Sequence, residues 1–298
     1  MHKVRVGVIR GGDPLGYEKS LKTGEMVMKH LPSDHYDIHD IFITKDGAWH
    51  RHGLEIAPHT ALAHLDVAWN ALHGTARGDS VEHILELHKI PFTGSGIFPS
   101  ALTSHPVHFK EALKREGLKT LPYRLVEIPD ADSPGESLTD LFRTFAPPII
   151  LRPVVQMCEP ITVRTYGAFP DALSKAFEVA DSVMLEEFIP GTPISVGVIE
   201  GYRDHDIYAL PPVSPLQLTH EEKRLLEDTA RRVHNILGLR HYSQVDLNVT
   251  PKRGVFVVGV TLKPELHEES VFHKALHSVG APLWHFFDHT VRLALGRK

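Results

Sequence analysis

Two adjacent segments near the carboxyl end of the sequence are placed where strand ends often carry chemistry in α/β enzymes. YSQVDLNV and GVFVVGV predict strands paired around the turn TPKRG, and the first strand carries Asp246. The second runs into a Lys-Pro turn, preceded by Gly259, Val260 and Thr261. The second strand therefore ends without a carboxylate.

The 22 histidines are a second source of candidate metal ligands, but they are scattered along the chain and have no cysteine partners. HFFDH places His285 and His289 four residues apart on one face of a predicted helix. That spacing could hold zinc, but the glutamate that would make it a protease motif is absent. We interpret this stretch, and HYDIHD at 35–40, as structural segments and not as metal sites. In HFFDH the histidines are expected on the solvent-exposed side of an amphipathic helix.

Length and composition exclude several classes of protein. The chain has 298 residues, of which 42% are hydrophobic and 23% charged, a length that suggests two or three domains. No apolar run approaches the roughly 20 residues of a membrane span. The single cysteine, Cys158, excludes an internal disulfide and fits a reducing cytoplasm. A net charge of -5 with both signs interspersed argues against a nucleic-acid groove.

Strands and helices alternate in the first third of the chain, with glycine-rich turns between them. Such alternation predicts a parallel sheet in an α/β domain at residues 1–95. The predicted elements are strands at 3–9, 36–44 and 65–74 and helices at 18–31 and 80–90.

The rest of the sequence predicts an α+β arrangement. Segments 193–201 and 205–213 are expected to be antiparallel neighbours because a polar turn separates them. Thr219 is a credible N-cap of a strong amphipathic helix, and Gly238 is placed to end it. The other predicted elements are strands at 147–155 and 182–191 and helices at 104–118, 270–280 and 282–295.

This order of elements, with these local sequences, resembles the ATP-grasp fold and, more closely, the D-alanine–D-alanine ligase family. The stretches that carry the resemblance include VGVIRGG, ALHG, PFTGSGIFPSAL, IILRP, MLEEFIPG and KPELHEES, and they span nearly the whole chain. The resemblance implies an α/β N-terminal parallel-sheet domain at 1–95, followed by α+β ATP-grasp domains at 96–185 and 186–298. It also implies a bacterial enzyme that uses ATP and magnesium to join two D-alanines through an acyl phosphate for peptidoglycan.

Several positions depart from the family pattern. The family holds two magnesium ions with an Asp and a Glu-x-Asn; Asp246 matches the Asp, but Gly259 and Thr261 stand where the Glu and Asn belong. Magnesium takes hard oxygen ligands and usually one or two carboxylates beside the phosphates of a substrate. We therefore interpret Asp246 either as a weak ligand of one ion or as a solvated strand-end residue. Arg152 replaces the lysine that precedes the phosphate loop. The Ser/Gly-rich loop itself is replaced by Met-Cys-Glu-Pro at 157–160. Bulky side chains, an added carboxylate and a proline without an N–H oppose a backbone cradle for phosphates.

The parts that would stabilise and shield an acyl phosphate are also altered. Gln244 stands where the family has an Arg, so the donor to the developing oxyanion carries no charge. Loss of one such donor typically costs about 2.7–4 kcal/mol of transition-state stabilisation. The family's long Tyr-bearing covering segment is missing, because residues 213–223 run almost directly into a helix. Pro106 and Pro193 replace a family Lys and the Glu that holds ribose.

Other positions still match the family's ligand-binding residues. Glu18 and Ser20 match residues that hold the first substrate's amino group, and Ser270 matches a serine near the substrate carboxylate. His73 and Gly74 are kept, but the continuation at 75–80 is not. Glu18 and Ser20 also fit the first turn of a helix, and Ser270 an N-cap. The matches to the nucleotide site are Lys110, Arg152 and the adenine hinge Glu186, Glu187, Phe188 and Ile189.

Three functions remain open at this point. The departures favour a homologue that keeps the fold but has weak or no ligase activity and binds a nucleotide, D-alanine or a dipeptide, or a partner protein. The first alternative is an active carboxylate–amine ligase that uses Asp246, Arg152, Lys110 and Gln244 in adjusted roles. The second is a non-catalytic subunit paired with an active paralogue. The resemblance implies a homodimer through the N-terminal domain or such a heteromer.

Overall fold

The computed structural model describes residues 3–73, 80–127, 145–154 and 160–296. Within those ranges every helix is too short or too polar to span a bilayer. The division into three domains at 95 and 185 stays a prediction. By their internal contacts the residues fall into two compact units, the first of Met1–Ser100, Pro193–Leu247 and Gly259–Lys298, the second of Ala101–Thr192 and Asn248–Val258.

A five-stranded sheet organises the amino-terminal part of the first unit. Its strand order is β4-β3-β2-β1-β5, and β1 pairs in parallel with both β2 and β5. The predicted parallel sheet is therefore confirmed, whereas the antiparallel β3 and β4 were not predicted. The strands are β1 Val4–Gly11, β2 Tyr36–Ile43, β3 Trp49–Arg51, β4 Leu54–Glu55 and β5 Val67–Asn70.

Both faces of this sheet are buried, as expected for parallel strands covered on two sides. Val6 and Val8 of β1 belong to one hydrophobic cluster, while Ile9 belongs to another with Ile41 of β2. Trp69 of β5 is fully buried in the first cluster. The helices of this part are α1 Tyr17–His30, α2 Pro58–Ala61 and α3 Val81–Leu87, with α4 Ile97–Ser104 following them.

The carboxyl-terminal half of the chain supplies a second four-stranded sheet in the order β11-β10-β12-β13. β10 and β11 are antiparallel, as predicted. The last residues of β12 and the first of β13 count with the second unit. The strands are β10 Thr192–Glu200, β11 Ile207–Ala209, β12 Tyr242–Thr250 and β13 Gly254–Thr261.

Three helices complete the first unit: α7 His220–Ile236, α8 Val271–Ser278 and α9 Leu283–Ala294. The predicted start of α7 is confirmed, because Thr219 and Glu222 form a reciprocal capping box. Gly238 follows the helix with φ +61°, a conformation that glycine adopts without steric cost.

The second unit is built on an antiparallel sheet in the order β6-β9-β7-β8. Helix α6 packs against this sheet through Phe169, Leu173 and Ala176, which join one buried cluster with residues of β7 and β9. The predicted strands at 147–155 and 182–191 are confirmed with shorter bounds. The elements are β6 Tyr123–Glu127, β7 Ile149–Pro153, β8 Ile161–Val163, β9 Ser182–Glu187, α5 Pro106–Arg115 and α6 Phe169–Phe177.

Candidate active site

The carboxyl ends of β1, β2 and β5 lie at one edge of the first sheet. The chain continues from β1 to β2 on one side and, after β4, returns to place β5 on the other side of β1. The edge between β1 and β5 is therefore a topological switch point, where ligands bind in open α/β sheets. Gly11 ends β1 with φ +94°, and a Cβ there would lie 2.0 Å from the carbonyl oxygen of Ile43. Only glycine allows β1 to turn this closely beside β2.

A buried ion pair occupies this edge. Lys263, just after β13, donates to Glu82 Oε1 at 2.9 Å, and Asn70 Nδ2 donates to the same oxygen at 2.8 Å. The side chains of Lys263 and Glu82 are 18% and 10% exposed. Burial alone would raise the pKa of Glu82, but Lys263 and the hydrogen bonds outweigh it and hold that pKa below its ordinary value. Glu82 is thus a carboxylate fixed by an internal cation.

His73 and helix α1 form the neighbouring part of the edge. His73 Nε2 lies 2.8 Å from Thr23 Oγ1, and the backbone N–H of Gly11 donates to Ser20 Oγ at 2.8 Å. Burial, with Lys263 adding to it, lowers the pKa of His73 to about 4. The imidazole is therefore neutral at pH 7. Ser20 uses its hydroxyl to secure the β1–α1 turn.

A second polar group joins helix α1 to the segment after β13. Lys19 Nζ lies 2.8 Å from Glu265 Oε1, and His267 Nε2 lies 2.6 Å from Glu265 Oε2. Burial would raise the pKa of Glu265, but its bonds to Lys19 and His267 lower it. Glu18 is exposed in the first turn of α1. Ser270 is the N-cap of α8 and accepts from the N–H of His273 at 3.3 Å.

The predicted metal position has one carboxylate, and that carboxylate is already engaged. Asp246 Oδ1 accepts hydrogen bonds from Ser195 Oγ at 2.6 Å and from Gln244 Nε2 at 3.0 Å. Gly259 and Thr261 lie at the end of β13, where they offer no side chain and a neutral hydroxyl. Among the residues that the structure describes, no group of three or more His, Cys, Asp or Glu could hold a metal ion. This donor set does not fit a two-magnesium centre.

The second unit brings together three of the residues predicted for the nucleotide site. Lys110 Nζ lies 2.7 Å from Glu186 Oε1 and donates to the carbonyl of Leu121 at 3.0 Å, while Arg152 Nε donates to Glu186 Oε2 at 3.0 Å. The side chains of Lys110 and Glu186 are 3% and 2% exposed. Burial lowers the pKa of Lys110, and Glu186 opposes this shift. Arg152 is more accessible, at 29%.

The other hinge positions continue from Glu186 along the same unit. The N–H of Glu187 donates to the carbonyl of Pro122 at 2.9 Å, and its carboxylate receives both guanidinium nitrogens of Arg253. Phe188 is 38% exposed and Ile189 is 6% exposed. Asn248 Nδ2 donates to the carbonyl of Ile189 at 2.7 Å, so that oxygen already has a partner.

Some predicted positions fall elsewhere. Gly74, and Met157 to Glu159 of the altered phosphate loop, lie outside the described residues. The expectation that both histidines of HFFDH face water is wrong for one of them. His285 is exposed and bonds to Tyr202 Oη, but His289 is half-buried and its Nε2 lies 2.7 Å from the carbonyl oxygen of Glu200.

Sequence reasoning did not find the groups that fill the sheet edge. Lys263, Glu82 and Asn70 were not singled out, nor were Lys19 and Glu265. Asn70 was the one available signal, because it is the single polar residue in the otherwise apolar run VAWNAL. A polar residue that interrupts a buried strand requires a partner.

A second buried histidine lies further inside the first unit. The N–H of Gly94 donates to His241 Nδ1 at 3.0 Å, which requires that nitrogen to be unprotonated. Burial, opposed by Glu200, lowers the pKa of His241 to about 4. His241 has φ +65°, a conformation that asparagine also tolerates.

Comparison with known proteins agrees with the fold and the matched motifs. No protein-family model matches the chain. It is 29% identical to the D-alanine–D-alanine ligase of Geobacter sulfurreducens over 285 residues, covering 87% of this chain and 84% of that protein. It is 27% identical to the corresponding ligase of Desulforudis audaxviator, covering 98% and 99% of the two chains. The Bacillus anthracis ligase complexed with ATP superposes with a TM-score of 0.82 at 21% identity over 98% of this chain and 97% of that one.

The fold is therefore the one shared with these solved ligase structures, the ATP-grasp fold that the resemblance in sequence implied. Within that class, the proteins it is similar to in sequence are D-alanine–D-alanine ligases, at 27–29% identity over 87–98% of the chain.

The buried imidazoles of His73 and His241 make stability depend on pH. Their folded-state pKa values of about 4 lie below the ordinary value of about 6.5, so the unfolded chain binds more protons in between. Their contribution is fully present above pH 6.5 and is lost as the pH falls toward 4. We expect His241→Asn to reduce the slope of unfolding free energy against pH, by up to about 1.4 kcal/mol per pH unit.

Urea denaturation between pH 7.5 and 5 measures that slope. His52→Asn is the matched control, because His52 is exposed and also has a positive φ, at +54°. An unchanged slope in His241→Asn would contradict the assignment of a neutral, buried imidazole.

The Lys110–Glu186 pair should be essential to the second unit. Lys110→Met leaves a buried carboxylate with Arg152 as its remaining cation, so we expect a loss of about 3 kcal/mol in unfolding free energy, the low end for a broken buried pair. Glu186→Gln added to this variant should recover part of the loss. Lys114→Met on the same helix, at a side chain 66% exposed, is the control and should change stability by less than about 0.5 kcal/mol. Equal effects at positions 110 and 114, measured by chemical denaturation, would disprove the role of the pair.

Proposed function

We propose that this protein is a D-alanine–D-alanine ligase homologue that binds a nucleotide and a small amino acid or dipeptide but has weak or no ligase activity. One observation carries the proposal. β13 ends in Gly259 and Thr261, and the single remaining carboxylate, Asp246, is held by Ser195 and Gln244. Acyl-phosphate formation requires that the charge of the transferred phosphoryl group be neutralised, which the family achieves with two magnesium ions.

Nucleotide binding is supported by the second unit. Lys110 and Arg152 converge on Glu186 at the end of β9, which gives two cations of the kind that pair with phosphate oxygens. The hinge that follows, from Glu187 to Ile189, is the segment at which the family reads adenine. Glu186 competes for both cations, so we expect moderate affinity.

The altered residues also leave the chemistry after activation without support. Gln244 donates to Asp246 and carries no charge, so it is a weaker donor to an oxyanion than an arginine. Ten residues, 210–219, join β11 to α7, and Leu216 among them is 59% exposed. A segment of this length is short for covering an acyl phosphate and excluding water.

The retained cations and Asp246 support a second candidate, an active ATP-dependent carboxylate–amine ligase in peptidoglycan precursor synthesis. The relatives named D-alanine–D-alanine ligase also favour it, because the chain aligns with 84% and 99% of their length. A non-catalytic subunit that pairs with an active paralogue is a third candidate. The active ligase differs from the main proposal in its turnover rate, and the non-catalytic subunit differs in requiring a protein partner.

ATP binding measured by calorimetry, with and without magnesium, separates these candidates. Since the metal ligands are absent, we expect ATP to bind with an affinity that magnesium changes by less than about threefold. D-alanine should release ADP far more slowly than the roughly 1 s⁻¹ of ordinary enzymes. Arg152→Gln should weaken ATP about tenfold, since a hydrogen bond to a charged group contributes about 1.5–3 kcal/mol.

Arg164→Gln is the matched control, because Arg164 is exposed in the same unit. Magnesium-dependent turnover near 1 s⁻¹ that Asp246→Ala abolishes would establish the active ligase instead. Absence of ATP binding under both conditions would leave the non-catalytic subunit.

A further inference from the structure

A cavity of about 580 Å³ lies in the first unit beside the Lys263–Glu82 pair. It is formed at the carboxyl ends of β1 and β2, with the segment after β5 and the first turns of α3. Ligand sites of small molecules typically measure about 300–1,000 Å³. The cavity therefore has the size and the position in the sheet of a small-molecule site, and of the ligand-binding positions matched to the family only His73 lies in it.

One wall of the cavity is apolar. Ile43, Trp49, Leu72 and Val81 each keep only a few per cent of their surface exposed, and Ile84 is half-buried beside them. Leu15 lines the same cavity with 69% of its surface exposed. A ligand with an aliphatic or aromatic group would remove this wall and Leu15 from water.

The remaining lining carries charges of both signs. Lys263 donates one hydrogen to Glu82, and its ammonium has two more to offer. Lys45 is exposed and lies 4.7 Å from the ring centre of Tyr17. Asp13 and Asp46 line the same cavity; Asp13 Oδ1 accepts from the N–H of Leu15, and Asp46 is hydrogen-bonded to the side chain of Thr44. The arrangement offers partners to an ammonium and to a carboxylate on one molecule.

A nucleotide does not suit this lining. Asp13, Asp46 and Glu82 bring three carboxylates against two lysines, so a triphosphate would be repelled. His73 at the wall is neutral at pH 7 and adds no positive charge. A compact zwitterion with an apolar side chain satisfies both the charged rim and the apolar wall.

We propose that this cavity binds a zwitterionic amino acid or dipeptide whose side chain is aliphatic or aromatic and larger than that of alanine. The carboxylate pairs with Lys45 and Lys263, the ammonium with Asp13 or Asp46, and the side chain rests on Trp49, Leu72 and Ile84. This inference rests on the proposed function and deepens it, because it names the size and polarity of the small molecule.

Calorimetry with leucine and leucyl-leucine, each as the L and the D form, tests the proposal without nucleotide. At least one of these probes should bind, and glycine should bind at least about tenfold more weakly. Isoamylamine and 4-methylpentanoate, which each lack one charge, should also bind at least about tenfold more weakly than leucine. Comparison of leucine with leucyl-leucine decides between the single amino acid and the dipeptide.

Two variants with matched controls locate the site. Ile84→Trp fills the cavity and should abolish binding, whereas Leu87→Trp on the same helix, at a side chain 68% exposed, should leave it unchanged. Lys45→Gln should weaken binding about tenfold, and Lys22→Gln, at an exposed position of α1, should not. The exposed Lys45 keeps the test valid if Ile84→Trp does not fold.

Each failure is distinguishable. Binding that survives both Ile84→Trp and Lys45→Gln would overturn the cavity assignment and leave the proposed function standing. ATP binding with no binding of any amino-acid probe would overturn the inference alone. Absence of both ATP and amino-acid binding would overturn the inference and the proposed function together.

Discussion

Parallel pairing of β1 with both β2 and β5 fixes where polar chemistry can occur in the first unit. Both faces of the sheet are covered by hydrophobic side chains, so an unpaired polar group on either face would be costly. The carboxyl-terminal edge is where the chain turns away at Gly11 and where Asn70 and His73 follow β5. Lys263 and Glu82 are brought to that edge and satisfy each other there.

The same framework shows which parts of the fold are independent of the residues at the end of β13. The sheets, the capped helix α7 and the turn after β13 depend on apolar burial and backbone hydrogen bonds, not on the metal. Gly259 and Thr261 lie at the end of β13, and a Cβ added at Gly259 would meet no heavy atom within 4 Å. Two ion pairs connect the segment after β13 to neighbouring helices: Lys263–Glu82 to α3 and Lys19–Glu265 to α1.

Elements with strong local signals were predictable, and those defined by distant contacts were not. β1 and α7 follow from periodicity and a capping box, whereas β3 and β4 have only three and two residues and too little pattern to detect. Helix α4 buries none of its residues and was not predicted. Lys263 and Glu82 are 181 residues apart, so no spacing rule connects them. The convergence of Lys110 and Arg152 on Glu186 could be anticipated only in part, through matched family positions.

Restoring the missing ligands is the decisive measurement. A Cβ at Gly259 would meet no heavy atom within 4 Å, so the strand end admits a larger side chain. If loss of these ligands is what separates this protein from an active ligase, Gly259→Glu combined with Thr261→Asn should make ATP binding magnesium-dependent, with a gain of about tenfold or more. Val258→Glu, at a neighbouring position of β13 that is 37% exposed, should not. Strong magnesium dependence in the unaltered protein, or none in the double variant, would contradict this explanation.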